Sequence, residues 1–187
     1  MTRLLILLGV LCVLSSCGEE PGTASAPDAG GATATPTPAA DFGKYGPYRV
    51  GMTAGDVRAA AHGALTEQTL GGIDNCLFFT DPNSTSNPED RIGLMLPRTA
   101  GYHVVGIDMP IYARTTRGIG YGSAVADVRA AYAGQPIAET ESQVGTELLV
   151  KAEGQDSYLG FSIRDQHVVA ARTGTHDFAA NYELCSG

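Results

Sequence analysis

The run Asp56-Val57-Arg58-Ala59-Ala60 returns letter for letter as Asp127-Val128-Arg129-Ala130-Ala131. A chain that spells one helical segment twice must accommodate the same local structure twice. Setting residues 48–63 over 119–134 makes seven of sixteen positions identical, including Gly51/Gly122 and Gly63/Gly134. The same offset places Cys76-Leu77-Phe78-Phe79 over Glu147-Leu148-Leu149-Val150. Further on, residues 92–96 resemble 159–163, and His103-Val104-Val105-Gly106-Ile107-Asp108 resembles His167-Val168-Val169-Ala170-Ala171-Arg172. Four matches in one order point to an internal duplication of about 65–70 residues per unit.

Each unit reads as one short helix followed by about three strands. Thr53 stands where an N-cap belongs and Asp56 three residues later, a capping-box variant with its acid near the positive helix end. Val57 and Ala61 share a face at i, i+4 while Arg58 points away. Gly63 is placed to end the helix in the left-handed conformation. In the second copy Ser123 is the expected cap, Val125, Val128 and Tyr132 face inward, and Gly134 with Pro136 stops the helix. Residues 75–80, 91–96 and 103–109 are rich in Val, Ile, Leu and Phe between turn residues, which is strand character. The expected class is α+β: two tandem repeats whose helices pack on one face of an antiparallel sheet. Repeat 1 takes residues 45–116 and repeat 2 residues 117–187.

The N-terminus has a different character. Arg3 precedes an apolar run from Leu4 to Leu14, too short for a membrane span, which needs about 20 residues. The run ends in Leu14-Ser15-Ser16-Cys17, which resembles the lipobox of bacterial lipoproteins. That resemblance implies a signal peptide over 1–16, cleavage before Cys17 and acylation of that cysteine. Acyl chains contribute ~0.8 kcal/mol per buried CH₂, so several anchor a protein without a transmembrane helix. Gly18 after the cysteine resembles lipoproteins passed to the outer membrane, so the expected location is the periplasmic face of that membrane. Residues 17–44 are rich in Ala, Gly, Pro, Thr and Ser and read as a disordered tether. Cys76 and Cys185 then remain in an oxidising compartment, and a Cys76–Cys185 disulfide is expected.

A net charge of −8 argues against nucleic acid as a partner, since counterion replacement needs clustered Lys and Arg. Gly118-Ile119-Gly120-Tyr121-Gly122 lacks the G-x-G-x-x-G spacing of a nucleotide loop and is read as structural. Residues 81–92 offer Asp81, Asn83 and Thr85 in calcium-loop order, but Ser86 stands at the glycine position and Ile92 at that of the bidentate Glu. A hairpin loop is expected there. His103 and His167 open matching strands, which points to a packing or hydrogen-bonding role; His62 and His176 belong to no motif. Glu139 and Glu141 read as a solvated strand face. No catalytic set, no metal site and no cofactor are expected.

Gly51, Met52, Thr53 and Val57, followed by strands, resemble the helix start of the small lipoprotein of the outer-membrane β-barrel assembly machinery. They also resemble the β-lactamase inhibitory protein family, which carries two such units in tandem. The whole pattern looks most like envelope lipoproteins, some of them described as lectin-like. The lipobox-like anchor, the tether, the duplication and the missing catalytic set together lead us to expect a lipid-anchored, non-enzymatic module that contacts a protein or another envelope component. The alternative is carbohydrate or peptidoglycan-fragment binding, with Tyr45, Tyr48, Tyr102, Tyr112 and Tyr121 as stacking surfaces. An enzyme inhibitor or a hydrolase is the remoter reading.

Overall fold

A computed structural model describes residues 38–69, 76–81, 91–142, 145–180 and 185. The expected signal peptide and Cys17 lie outside the described residues. The protein is α+β, with few helices and mostly antiparallel sheet. Short strands β1 (Ala39–Asp41), β2 (Lys44–Tyr45), β3 (Tyr48–Arg49) and β8 (Arg114–Thr115) form a small sheet in the order β3-β2-β1-β8. The larger sheet holds β4 (Thr66–Thr69), β5 (Cys76–Thr80), β6 (Gly93–Pro97), β7 (Gly106–Met109), β9 (Ile137–Ser142), β10 (Gly145–Lys151), β11 (Tyr158–Arg164) and β12 (His167–Gly174). Its order is β4-β5-β6-β7-β12-β11-β10-β9, antiparallel throughout.

Helix α1 (Ala54–Ala61) begins as its sequence requires. Thr53 N donates to Asp56 Oδ2 at 2.9 Å and Asp56 N to Thr53 Oγ1 at 3.2 Å, a reciprocal capping box. The bond from Thr53 holds the Asp56 carboxyl below its usual range. His62, not Gly63, is the left-handed C-cap, and Gly63 continues at positive φ. Helix α2 (Val125–Ala131) is capped by Ala124 without a side-chain bond. Ser123, the expected cap, sits one residue too early; its Oγ accepts from Gly120 N at 3.1 Å instead.

Four strands follow each helix into the large sheet, one more than expected, because the outermost pair, β4 and β9, is polar. Both edges carry an acid that meets the preceding helix: Arg58 Nε donates to Glu67 Oε2 at 2.9 Å, and Arg129 Nη2 to Glu139 Oε2 at 2.7 Å. Such exposed pairs contribute ~0–1 kcal/mol, so they orient more than they stabilise. The chain also folds earlier than Tyr45. Ala40 is fully buried and Phe42 packs edge-on against Tyr132, so residues 39–44 belong to the folded part rather than to a tether.

Matching positions make matching bonds. Gly51 N donates to Val104 O at 2.8 Å and Val104 N to Met52 O at 2.9 Å; Gly122 N donates to Val168 O at 2.8 Å and Val168 N to Ser123 O at 2.9 Å. Gly51 and Gly122 both take φ near 80°, which explains glycine at both positions. At the sheet centre Asp108 lies opposite Arg172, flanked by Met109 opposite Ala171 and Ile107 opposite Thr173.

One hydrophobic cluster contains Val57 and Ala61 from α1, Val128 from α2 with Tyr132 just beyond it, and Phe79, Leu94, Ile107, Leu148 and Phe161 from the sheet. Val57 and Val128 are both fully buried. Truncating either to Ala removes two methyl-sized groups and leaves a void, an expected loss of about 2 kcal/mol each. Urea denaturation should return losses within about 1 kcal/mol of one another. A loss at one site alone would show that only one helix rests on this core.

The opposite sheet face receives the chain end. Helix α3 (His176–Ala179) follows β12, and Leu149, Ala179 and Ala180 form a second cluster. Cys76 at the start of β5 and Cys185 stand at disulfide distance, their Cα atoms 5.7 Å apart.

Candidate functional site

Strand pleating sends alternate residues to opposite faces. Phe78, Gly93 and Asp108 alternate with Phe79, Leu94 and Ile107, so they look away from the main core. With Ala170 of β12 they floor a cleft of about 330 Å³. Its walls come from Ile92, Met109, Pro110, Ile111 and Val169, and its polar groups from Thr80, Arg91, Asp108 and Tyr121. A Cβ at Gly93 would meet the Asp108 carboxyl at 3.4 Å, an ordinary contact distance, so Gly93 and Asp108 are direct neighbours on the floor. Tyr121 keeps 43% of its surface exposed.

Beside the cleft, on the same sheet face, runs a buried polar chain. Glu147 on β10 is fully buried. Ser162 Oγ donates to its Oε1 at 2.8 Å, and Ser142 Oγ donates to the same oxygen at 3.2 Å. Ser162 Oγ accepts from Arg172 Nη2 at 3.0 Å. Arg172 Nη1 lies 3.7 Å from Glu147 Oε1, and Arg172 Nε lies 3.6 Å from Asp108 Oδ1. One guanidinium is thus shared between two carboxyls, and neither contact reaches hydrogen-bond distance. Half of the Asp108 side-chain surface remains open to the cleft.

Burial pushes the Glu147 carboxyl up, opposed by Arg172, Ser162 and Ser142. Desolvation pushes Asp108 up as well, despite its open side, and Arg172 only partly offsets it. The unfolded chain therefore releases these protons at lower pH than the folded one. Below the ordinary carboxyl range, about pH 4, both states hold the proton and no penalty exists. As pH climbs above that range the unfolded state ionises first, and stability falls until pH passes the raised folded value. Glu147→Gln keeps a partner for Ser162 and removes this titration. Its urea midpoint, plotted from pH 4 upward, is expected to decline less than that of the unsubstituted protein. Parallel curves would show that Glu147 titrates alike in the folded and unfolded states.

The structure sorts the residues singled out from sequence. Cys17 lies outside the described residues, as do Asn83, Thr85 and Ser86 of the calcium-like loop. Asp81 and Ile92 are described, and Ile92 lines the cleft. Tyr45 and Tyr48 are core residues and offer no stacking surface. Burial raises the Tyr45 hydroxyl to about 12. Tyr102 is half-buried, Tyr112 is exposed, and Tyr121 alone of the five borders the cleft. His103 Nδ1 is 2.9 Å from Ala100 O and His167 Nδ1 2.8 Å from Asp165 O, both local backbone contacts. His62 caps α1, and His176 opens α3 with its ring edge-on to Tyr158. Glu139 and Glu141 are exposed on β9, and Glu139 pairs with Arg129. No group of three or more metal-ligating side chains occurs among the described residues. No helix among them is long and apolar enough to cross a membrane.

Arg91, Asp108, Glu147, Ser162 and Arg172 were not singled out by sequence pattern. Two signals pointed toward them. At the 71-residue offset Glu147 aligns with Cys76, which is 1% exposed. Asp108 and Arg172 are opposite charges at matching positions of two apolar strands. No family model, curated protein or solved structure matches this chain.

Proposed function

We propose that this protein is a lipid-anchored, non-catalytic binding module of the bacterial envelope, held at Cys17 and contacting a protein or envelope component through the cleft face of its sheet. The observation that carries the reading is the cleft itself: apolar walls, two opposite charges and an exposed tyrosine at the middle of an eight-stranded sheet. Concave, mostly apolar sites with a few convergent polar groups are the usual form of a binding site. The fold behind it is a pair of tandem helix-plus-sheet units with α1 and α2 on the core side, which leaves the part of the other face not covered by α3 for recognition. Supporting this are the like-for-like bonds at Val104 and Val168 and the register centred on Asp108 and Arg172. The lipobox-like Leu14-Ser15-Ser16-Cys17 supports anchoring by acyl chains at the periplasmic face of the outer membrane. The test is labelled-palmitate incorporation and membrane fractionation, followed by crosslinking of the anchored protein in intact cells. Cys17→Ser is expected to abolish labelling and release the protein from membranes. An unlabelled, soluble native protein with no reproducible crosslinked partner would contradict the reading.

Carbohydrate or peptidoglycan-fragment binding is the second reading, favoured by Tyr121 at the cleft and by the exposed Tyr112. A glycan array without signal removes it.

A further inference from the structure

The polar groups of the cleft restrict what can occupy it. Asp108 and Arg91 both face it, and no ion pair joins them among the described residues. Arg91 Nε is buried and has no hydrogen-bond partner. An unmet buried donor costs ~1–3 kcal/mol, and a charged one more, so an acceptor that reaches this Nε is favoured. Asp108 has only a distant share of Arg172, which is also held by Ser162 and faces Glu147. Its outward half is therefore set to gain from an incoming donor. Phe78, Met109 and Ile111 add apolar surface to the same cleft. The volume, about 330 Å³, stands at the lower end of the ~300–1,000 Å³ range of small-molecule sites.

A simple carboxylic acid would satisfy Arg91 but confront Asp108 with a second anion. A simple amine would satisfy Asp108 and leave Arg91 Nε unmet. Only a ligand that carries both charges on an apolar body satisfies the whole lining. We propose that the cleft binds a zwitterion of the class of free apolar α-amino acids, its ammonium on Asp108, its carboxylate on Arg91 and its side chain against the apolar wall. Arg suits the carboxylate role because its planar fork meets both oxygens at once. This inference rests on the binding reading above and adds the ligand class.

The test uses full-length protein in detergent micelles, titrated calorimetrically with L-leucine, N-acetyl-L-leucine and L-leucinamide. L-leucine is expected to bind saturably, and each analogue, lacking one charge, at least 10-fold more weakly. Asp108→Asn should erase the preference for leucine over its N-acetyl form, and Arg91→Gln the preference over the amide. Circular dichroism checks that both variants fold, and the analogue series tests the idea on unaltered protein in any case. No leucine binding, or an analogue bound as tightly as leucine, overturns the proposal. If leucine fails while a partner is still captured in cells, the ligand class falls and the binding module stands.

Discussion

Cys76→Ser is expected to cost about 4 kcal/mol and to leave the protein only marginally folded. Cys76 is 1% exposed at the start of β5, and Cys185 lies 109 residues further on. Closing so long a loop removes conformational freedom chiefly from the unfolded chain, ~4–5 kcal/mol on the chain-entropy model. A domain of this size holds a total stability of ~5–15 kcal/mol, so the loss is a large share of it. Cys185→Ser should cost nearly the same, and the double variant little more, because the two changes remove one bond. Denaturant titration of the three variants, beside the native protein with and without reductant, measures this. Losses below about 1 kcal/mol in all three would mean that the cysteines are not joined in the folded protein.

Gly160→Ala is expected to be the most damaging single-methyl addition on the cleft face. Gly160 lies on β11 between Leu149 and Arg172, and a Cβ there would overlap the carbonyl oxygen of Ala179 in α3. The obstacle is backbone, so no rotamer change relieves it. Overpacking of this kind costs ~1–3 kcal/mol, and here the upper end is expected, with α3 lifted from the sheet. Gly106 makes the contrasting case. Its Cβ would run into the ring of Phe178, a side chain that can be cut back. Phe178→Ala should therefore rescue much of Gly106→Ala and little of Gly160→Ala. Hydrogen exchange across 175–180, read with the urea midpoint, separates the two. Equal rescue of both glycine variants would show that α3 is not packed through these two contacts.

The parts of the fold that were legible in the sequence share a physical trait: their chemistry is local. The Thr53–Asp56 capping box is complete within four residues, so the start of α1 could be read directly. The apolar runs of β5, β6, β10 and β11 stand out because they are buried on at least one face. The second helix starts one residue later than its sequence suggests, since Ser123 is a good capping residue whose hydroxyl is taken by Gly120 N. Strands β1 to β3 escaped notice because Ala40 is buried by what surrounds it, not by its own hydrophobicity. Strand β4, Thr66–Thr69, carries no apolar residue and forms only as an edge on β5. The site was hidden for a related reason. Phe78, Gly93, Asp108 and Ala170 come from four strands, and only the register of the assembled sheet brings them to one floor. Arg91 lies two residues before β6, and nothing in its neighbourhood distinguishes it from a loop arginine.

The binding face itself is tested most directly by a photo-crosslinking residue placed at Tyr121, beside the cleft, in cells carrying the anchored protein. The control position is Ala59, exposed on α1. A discrete crosslinked product at Tyr121, absent at Ala59 and weakened by Arg91→Gln, is the result expected of a module that recognises through this cleft. The same product at both positions, or at Ala59 alone, would contradict it.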